Sequence, residues 1–194
     1  SRAARKLFTG SAFSSATWGH QASSLSDTHI LGLERAALAS TGLKPEGRCR
    51  TFGLLAAFGL NGTPRARVIR ETITSWIQLH RDMTPGVLVQ LNKVWINIVN
   101  HLKQDLRVHK VRGILSNVIY ILLKAGWFPL AFNSWEDPDG SRWYISNNNI
   151  SPNVVAAAII HSFFKIDLAR ANHHYNGKGV SNGIDVENTL RTLR

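Results

Sequence analysis

A hydroxyl residue followed directly by proline, and then by apolar residues at helical spacing, occurs three times in this chain: Thr63-Pro64, Thr84-Pro85 and Ser151-Pro152. A hydroxyl before the first turn can accept one of the backbone N–H groups that have no partner inside a helix. Proline at the first helical position loses no hydrogen bond and brings its φ already set. The first signal opens a stretch with Val68, Ile69, Ile73, Trp76, Ile77 and Leu79 on one side, while Arg65, Arg67, Arg70 and Arg81 are expected to point largely elsewhere. Behind the second, Val87, Leu88, Leu91, Val94, Trp95, Ile98 and Leu102 recur every three or four residues. The third leads into Val155, Ile159, Phe163 and Ile166. A chain started this way three times is committed to helices.

The remaining segments fit around these three. Arg2 to about Phe8 reads as helix, Gly10 as an interruption, and Ala12 to Trp18 as a second short apolar segment. Ser26 or Asp27 can cap Thr28–Ser40, which stops at Gly42. A glycine-rich connector with Lys44, Arg48 and Arg50 precedes the apolar patch Phe52–Leu60 and an Asn61-Gly62 turn. Gly113–Lys124 is a further apolar helix, closed at Ala125-Gly126. Between Trp127 and Ile145 aromatic residues gather around Asp137-Pro138-Asp139-Gly140, whose residue types suit a type I turn. A hairpin is predicted there, with Trp135 and Trp143 near each other across the strands. The expected fold is mainly α, a helical bundle with one small aromatic β-hairpin. It divides into a basic helical part, 1–112, a helix–hairpin–helix part, 113–170, and a flexible tail, 171–194, ending in a short helix near Val186–Leu193.

Charge is distributed unevenly along this plan. Through Arg112 the chain holds 16 Lys and Arg against 6 Asp and Glu, and the remainder holds 7 against 6; the balances of +10 and +1 sum to the net +11. A solubility device would spread its charge, so a concentrated excess points to a polyanion, of which nucleic acid is the commonest. Lys103, Arg107, His109, Lys110 and Arg112 cluster where the second proline-started helix ends, more cations than a helix dipole requires. The single cysteine, Cys49, supplies neither a disulfide framework nor a cysteine zinc site. No apolar run reaches the roughly 20 residues of a membrane span, and the N-terminus lacks the unbroken core of a signal peptide. A soluble protein of the nucleus or cytoplasm, with no membrane partner, is expected.

Fragments resembling catalytic motifs fail on context. His80-Arg81-Asp82 has the letters of a kinase catalytic loop without the glycine-rich loop, the lysine or the Asp-Phe-Gly that must accompany it. It reads instead as a helix C-terminus with His and Arg facing the dipole. Gly177, Gly179 and Gly183 lack dinucleotide-fingerprint spacing, and the adjacent His173 and His174 do not share one coordination sphere without outside partners. Asp137 and Asp139 are explained by the turn. The six acidic residues before Gly113 are scattered singly, which argues against the clustered carboxylates of a two-metal polymerase or nuclease site. No cofactor and no metal are expected.

Residues 2–8 (Arg-Ala-Ala-Arg-Lys-Leu-Phe), Ser14-Ser-Ala-Thr-Trp-Gly-His20, and Ser26–Gly42 with its Leu-Glu-Arg-Ala-Ala-Leu-Ala core resemble the region after the palm in reverse transcriptases of non-LTR (LINE-like) retrotransposons. There these parts form the thumb. Ala125-Gly-Trp127, Trp135-Glu-Asp-Pro-Asp-Gly140 and Trp143 are similar to the connector ahead of an RNase H-like domain in some elements of this kind. The resemblance spans about residues 2–145 and implies a thumb and connector within a polyprotein, with palm upstream and nuclease downstream as partners. It implies no complete active site in this chain.

A thumb grips the RNA–DNA or DNA duplex through its backbone. On that basis Arg2, Arg5 and Lys6 are the first candidates for phosphate contacts, with Trp18 and His20 near the junction. Lys44, Arg48, Arg50, Arg65, Arg67, Arg70, Lys110 and Arg112 are candidates by charge. The expected function is thus a non-catalytic nucleic-acid-binding fragment of an RNA-directed DNA polymerase. The alternative is a helical protein–protein interaction module whose basic residues only aid solubility.

Overall fold

The structure is a computed structural model that describes residues 2–42 and 49–173, with Arg2 and Ala3 described by backbone only. In chain order the elements are α1 (Arg2–Leu7), a π-helical turn (Phe8–Ala12), α2 (Phe13–Ala16), α3 (His20–Ser23), α4 (Asp27–Ser40), α5 (Arg50–Phe58), α6 (Pro64–Arg81), α7 (Pro85–Gln104), α8 (Gly113–Lys124), β1 (Phe128–Ala131), β2 (Ser134–Glu136), β3 (Arg142–Tyr144) and α9 (Pro152–Asn172). The fold is mainly helical with one small antiparallel sheet, as expected. Lys44, Arg48 and the segment proposed as a C-terminal helix lie outside the described residues. Ala171 and Asn172, assigned to the tail, belong to α9, where Ala171 is buried.

Contacts divide the chain into two compact units that do not follow the division at Arg112. Unit 1 comprises residues 1–18, 25–67 and 164–194; unit 2 comprises 19–24 and 68–163. The division falls within α6, after Arg67, and within α9, after Phe163.

In unit 1, α4 packs on α1, on the π-helical turn and on α5. Gly10 does not interrupt the N-terminal helix; the chain stays in right-handed helical geometry on both sides of the turn that contains it, and α2 continues to Ala16. The wider π turn accommodates the glycine without breaking the axis, a common form for a helical bulge. Phe8 and Phe13 flank that turn and meet edge to face at 6.3 Å. Ser26 caps α4 by accepting a hydrogen bond from the His29 N–H at 3.1 Å. Between α4 and α5 the chains approach closely at Gly53, where a Cβ would stand 2.9 Å from Leu38 Cδ2.

Unit 2 is built around α8, in which every residue from Ser116 to Leu122 is buried. Buried Asn117 donates from Nδ2 to the carbonyls of His20 and Gln21 at 2.8 and 3.0 Å and so fixes α3 on α8. Gly126 ends α8 with φ +77°, and Trp127 N–H bonds back to the Leu122 carbonyl at 2.9 Å, the left-handed closure expected there. Trp76, Trp95 and Trp135 are fully buried in a continuous stack, with ring centroids 6.0 Å apart for Trp76 and Trp95 and 6.5 Å for Trp95 and Trp135.

The hairpin forms where predicted. Trp135 pairs with Trp143, and the Gly140 N–H closes the turn on the Asp137 carbonyl at 3.0 Å. Asp137 Oδ1 also accepts the N–H groups of Asp139 and Ser141 at 3.0 and 2.8 Å, and its Oδ2 accepts the Trp143 indole N–H at 3.0 Å. One strand was not anticipated: β1 joins the other side of β2, making the sheet three-stranded in the order β1-β2-β3. Phe128–Ala131 contains Pro129, which argues against a strand, but β1 is an edge strand paired through an irregular register, where proline is tolerated.

Candidate nucleic-acid interface

The cations picked out from the sequence divide into two groups. Of the five in unit 1 whose side chains are described, four are taken up by the fold. Arg5 donates from Nη1 to the Ala57 carbonyl at 3.1 Å. Arg67 donates from Nη1 to the Thr9 carbonyl at 3.1 Å and lays its guanidinium 3.9 Å over the Phe13 ring. Arg50 Nε stands 2.9 Å from Glu34 Oε2, and Arg65 Nε stands 3.5 Å from Glu34 Oε1; Arg65 also reaches Asp167 at 3.8 Å.

Glu34 is itself only 4 % exposed. Burial raises its pKa above the usual carboxylate value even though Arg65 and Arg50 act to lower it. Arg65 and Arg67 therefore do not point away from the body of the protein as expected; they serve its interior. In unit 2, Arg70 is half-buried and has an interaction of its own. Arg81 likewise turns inward, donating from Nη2 to the carbonyls of Asn147 and Ile150 at 2.9 and 2.8 Å. Of the eleven candidates, Lys6, Lys110 and Arg112 have exposed side chains, while Lys44, Arg48 and the Arg2 side chain lie outside the described residues.

Trp18 is 91 % exposed, whereas His20 is buried in unit 2 with Nε2 3.5 Å from Glu71 Oε2. His80, read as facing a helix dipole, is instead buried against the Phe132 and Trp76 rings at 5.3 and 6.2 Å. Among the described residues neither of its ring nitrogens has a hydrogen-bond partner, and burial lowers its pKa, with Arg81 contributing in the same direction. Among the described residues no three His, Cys, Asp or Glu side chains group as a metal site.

Lys110 and Arg112 belong to the connection between α7 and α8 in unit 2, and its construction explains why it presents charge. Leu102 and Val111 are buried and anchor the two ends. Between them the chain makes a 3-10 turn at Val108–Lys110, with the Lys110 N–H on the Arg107 carbonyl and the Val111 N–H on the Val108 carbonyl, both at 3.0 Å. Buried Ser116 Oγ holds the Arg112 backbone, accepting its N–H at 2.7 Å. The backbone is thus pinned from inside, and the polar side chains of the segment are left outside.

His101, Lys103, Arg107, His109, Lys110 and Arg112 are all exposed. The segment's one acidic residue, Asp105, is held by Arg107 in a two-pronged ion pair, whose hydrogen bond keeps the Asp105 carboxyl below its usual pKa. Among the described residues the side chains of Lys103, Lys110 and Arg112 form no ion pair or hydrogen bond, although Lys110 adds to the field that lowers the Asp105 pKa. The sequence had grouped these residues, but only Lys110 and Arg112 were carried forward as candidates; Lys103 belongs with them.

Comparison with known proteins finds no match: no protein-family model, no curated protein and no solved structure is significantly similar to this chain. Among the described residues no helix is long and apolar enough to cross a membrane.

Proposed function

We propose that this chain binds nucleic acid without acting on it chemically, gripping a duplex through its phosphates as a thumb and connector part of a retroelement reverse transcriptase. The supporting observation is the end of α7 and the α7–α8 connection, where Lys103 on the last helical turn and Lys110 and Arg112 on a pinned backbone stand exposed and the one neighbouring carboxylate is already neutralised by Arg107. A rigid basic surface of this kind suits phosphate contacts, which position a duplex without reading its sequence. The resemblance of residues 2–145 supports the more specific part of the reading, in which palm and nuclease domains of the parent polyprotein are the covalent partners and the duplex is RNA–DNA or DNA.

The test is duplex binding by the purified chain at low salt. Lys110→Glu is expected to weaken binding by about tenfold, while Arg35→Glu, the same charge change at an exposed position of α4, is expected to leave it nearly unaltered. Equal losses from both would show a diffuse charge effect and overturn the located interface. The family assignment has its own test: a Tyr-x-Asp-Asp motif encoded upstream of Ser1.

A further inference from the structure

α7 is held in unit 2 along a narrow strip: of its 20 residues only Trp95, Val99 and Leu102 are buried. Both flanks are open, with Val87 and Val94 exposed on one and Val89 and Ile96 on the other, so the helix stands out as a ridge. Its crest is polar. At about 100° per residue, Gln90, Lys93, Asn100, His101 and Gln104 all fall within about 60° of Asn97, opposite the buried strip, and all six are exposed. Among the described residues none of these six side chains makes a hydrogen bond or an ion pair. α7 contains no Asp or Glu, so the crest lacks the Glu–Lys pairs that support a solvated helix face. Asn97 and Asn100 do not favour the helix either, because asparagine side chains compete for backbone hydrogen bonds. What these residues do supply is a row of unused donors and acceptors on a rigid rod.

Chemistry, charge and size select the same occupant. A dry protein interface or a lipid surface would strip water from these polar groups without a matching set of partners. Base edges carry that set: Asn or Gln pairs with adenine N6 and N7, and Lys with guanine O6 and N7. Within residues 85–112, Lys93, Lys103, Arg107, Lys110 and Arg112 stand against Asp105 alone, a balance that attracts a polyanion. A helix with its side chains is about 10–12 Å across, and the major groove of B-form DNA is about 12 Å wide. The deep, narrow major groove of A-form duplexes, RNA–DNA hybrids included, does not admit it. We propose that α7 enters the major groove of duplex DNA and reads base edges from Lys93, Asn97, Asn100 and His101, so that the chain prefers particular DNA sequences. Gln90 and Gln104 lie at the ends of this contact. The inference rests on the nucleic-acid reading and goes beyond it: the α7–α8 connection holds phosphates whatever the sequence, and the adjoining helix adds the choice of site.

The experiment selects binding sites for the full-length chain from a pool of randomised duplex DNA at low salt. A recurring sequence is expected, bound at least about tenfold more tightly than a scrambled duplex of the same composition. Asn97→Ala with Asn100→Ala changes no charge and places a better helix former at both positions. It should bring the two affinities to within about twofold of each other, with binding to the scrambled duplex and its salt dependence as in wild type. Replacing the purines of the selected site by 7-deaza analogues, which removes the N7 acceptors of the major groove, should cost about tenfold. Lys110→Glu should instead weaken both sequences equally. Salt-sensitive binding with no sequence enriched would overturn the proposal and leave the phosphate reading standing, whereas absence of all duplex binding would remove both. A selected site indifferent to the double Ala variant or to 7-deaza purines, or bound equally well as an RNA–DNA hybrid, would also overturn the entry of α7 into the groove.

Discussion

His80 shows how one side chain sets a condition on the fold. Its imidazole is 4 % exposed, has no hydrogen-bond partner on either nitrogen among the described residues and lies against Trp76 and Phe132, surroundings that favour the neutral form. The folded-state pKa lies below the ordinary value of 6.5 because burial opposes the charge. The unfolded chain therefore binds the proton more readily, and stability should be fully present above about pH 6.5 and decline as pH falls through the folded pKa. Urea unfolding of wild type at neutral and mildly acidic pH measures the decline, and His80→Phe should flatten that part of the profile; a His80→Phe variant with the same acid loss would place its cause elsewhere.

Glu34 is the converse case in unit 1. Its raised pKa means that two arginines do not fully compensate for burying its charge, as is common for buried ion pairs. Glu34→Ala removes the acceptor and leaves Arg65 in place, at an expected cost of about 2 kcal/mol. Glu34→Gln keeps an acceptor and should cost less than half as much, with chemical denaturation as the measurement for both.

At the scale of single elements, what the sequence disclosed and what it hid follow from the range of the forces involved. The Asp137–Gly140 turn was legible because all its determinants lie within five residues: an Asp side chain that accepts the next backbone N–H groups, a Pro, and a Gly at φ +85°. Asp137→Ala removes the acceptors for two backbone N–H groups and for the Trp143 indole. It should cost about 1–2 kcal/mol, measured as a shift in the denaturation midpoint.

The start of α6 was legible for the same reason, since Thr63 Oγ1 does accept the Ala66 N–H at 3.3 Å. Thr84 opens α7 without such a bond, so there the proline and the apolar spacing carry the start. The roles of Arg5, Arg65 and Arg67 were not legible, because their partners are 52, 31 and 58 residues away in sequence, at Ala57, Glu34 and Thr9. Periodicity also drew the apolar side of α7 with the wrong edge. Val87 and Val94, assigned to the packed side, are exposed with Val89 and Ile96, while Val99 is buried.

For the whole molecule, the contrast between a basic and a nearly neutral half of the sequence does not translate into a basic and a neutral unit. Unit 1 gathers sequence from both halves, and its half-buried arginines pair with Glu34, Asp167 and backbone carbonyls. The net charge therefore overstates what a polyanion would meet on the described surface, and this has a measurable consequence. If binding rests on Lys103, Lys110 and Arg112, about three phosphates are neutralised, and the logarithm of affinity should fall against the logarithm of salt with a slope near −2.7. Between 50 and 200 mM salt that amounts to a loss of about fortyfold. A slope several-fold steeper would mean that cations outside the α7–α8 connection share the work, and a flat dependence would remove phosphate contacts from the account altogether. Lys110→Glu with Arg112→Glu should bring the slope to about −1 or shallower. That change in slope, rather than the loss of affinity alone, distinguishes removal of phosphate contacts from damage to the fold, because a partly unfolded population lowers affinity without altering how salt acts on the molecules that still bind.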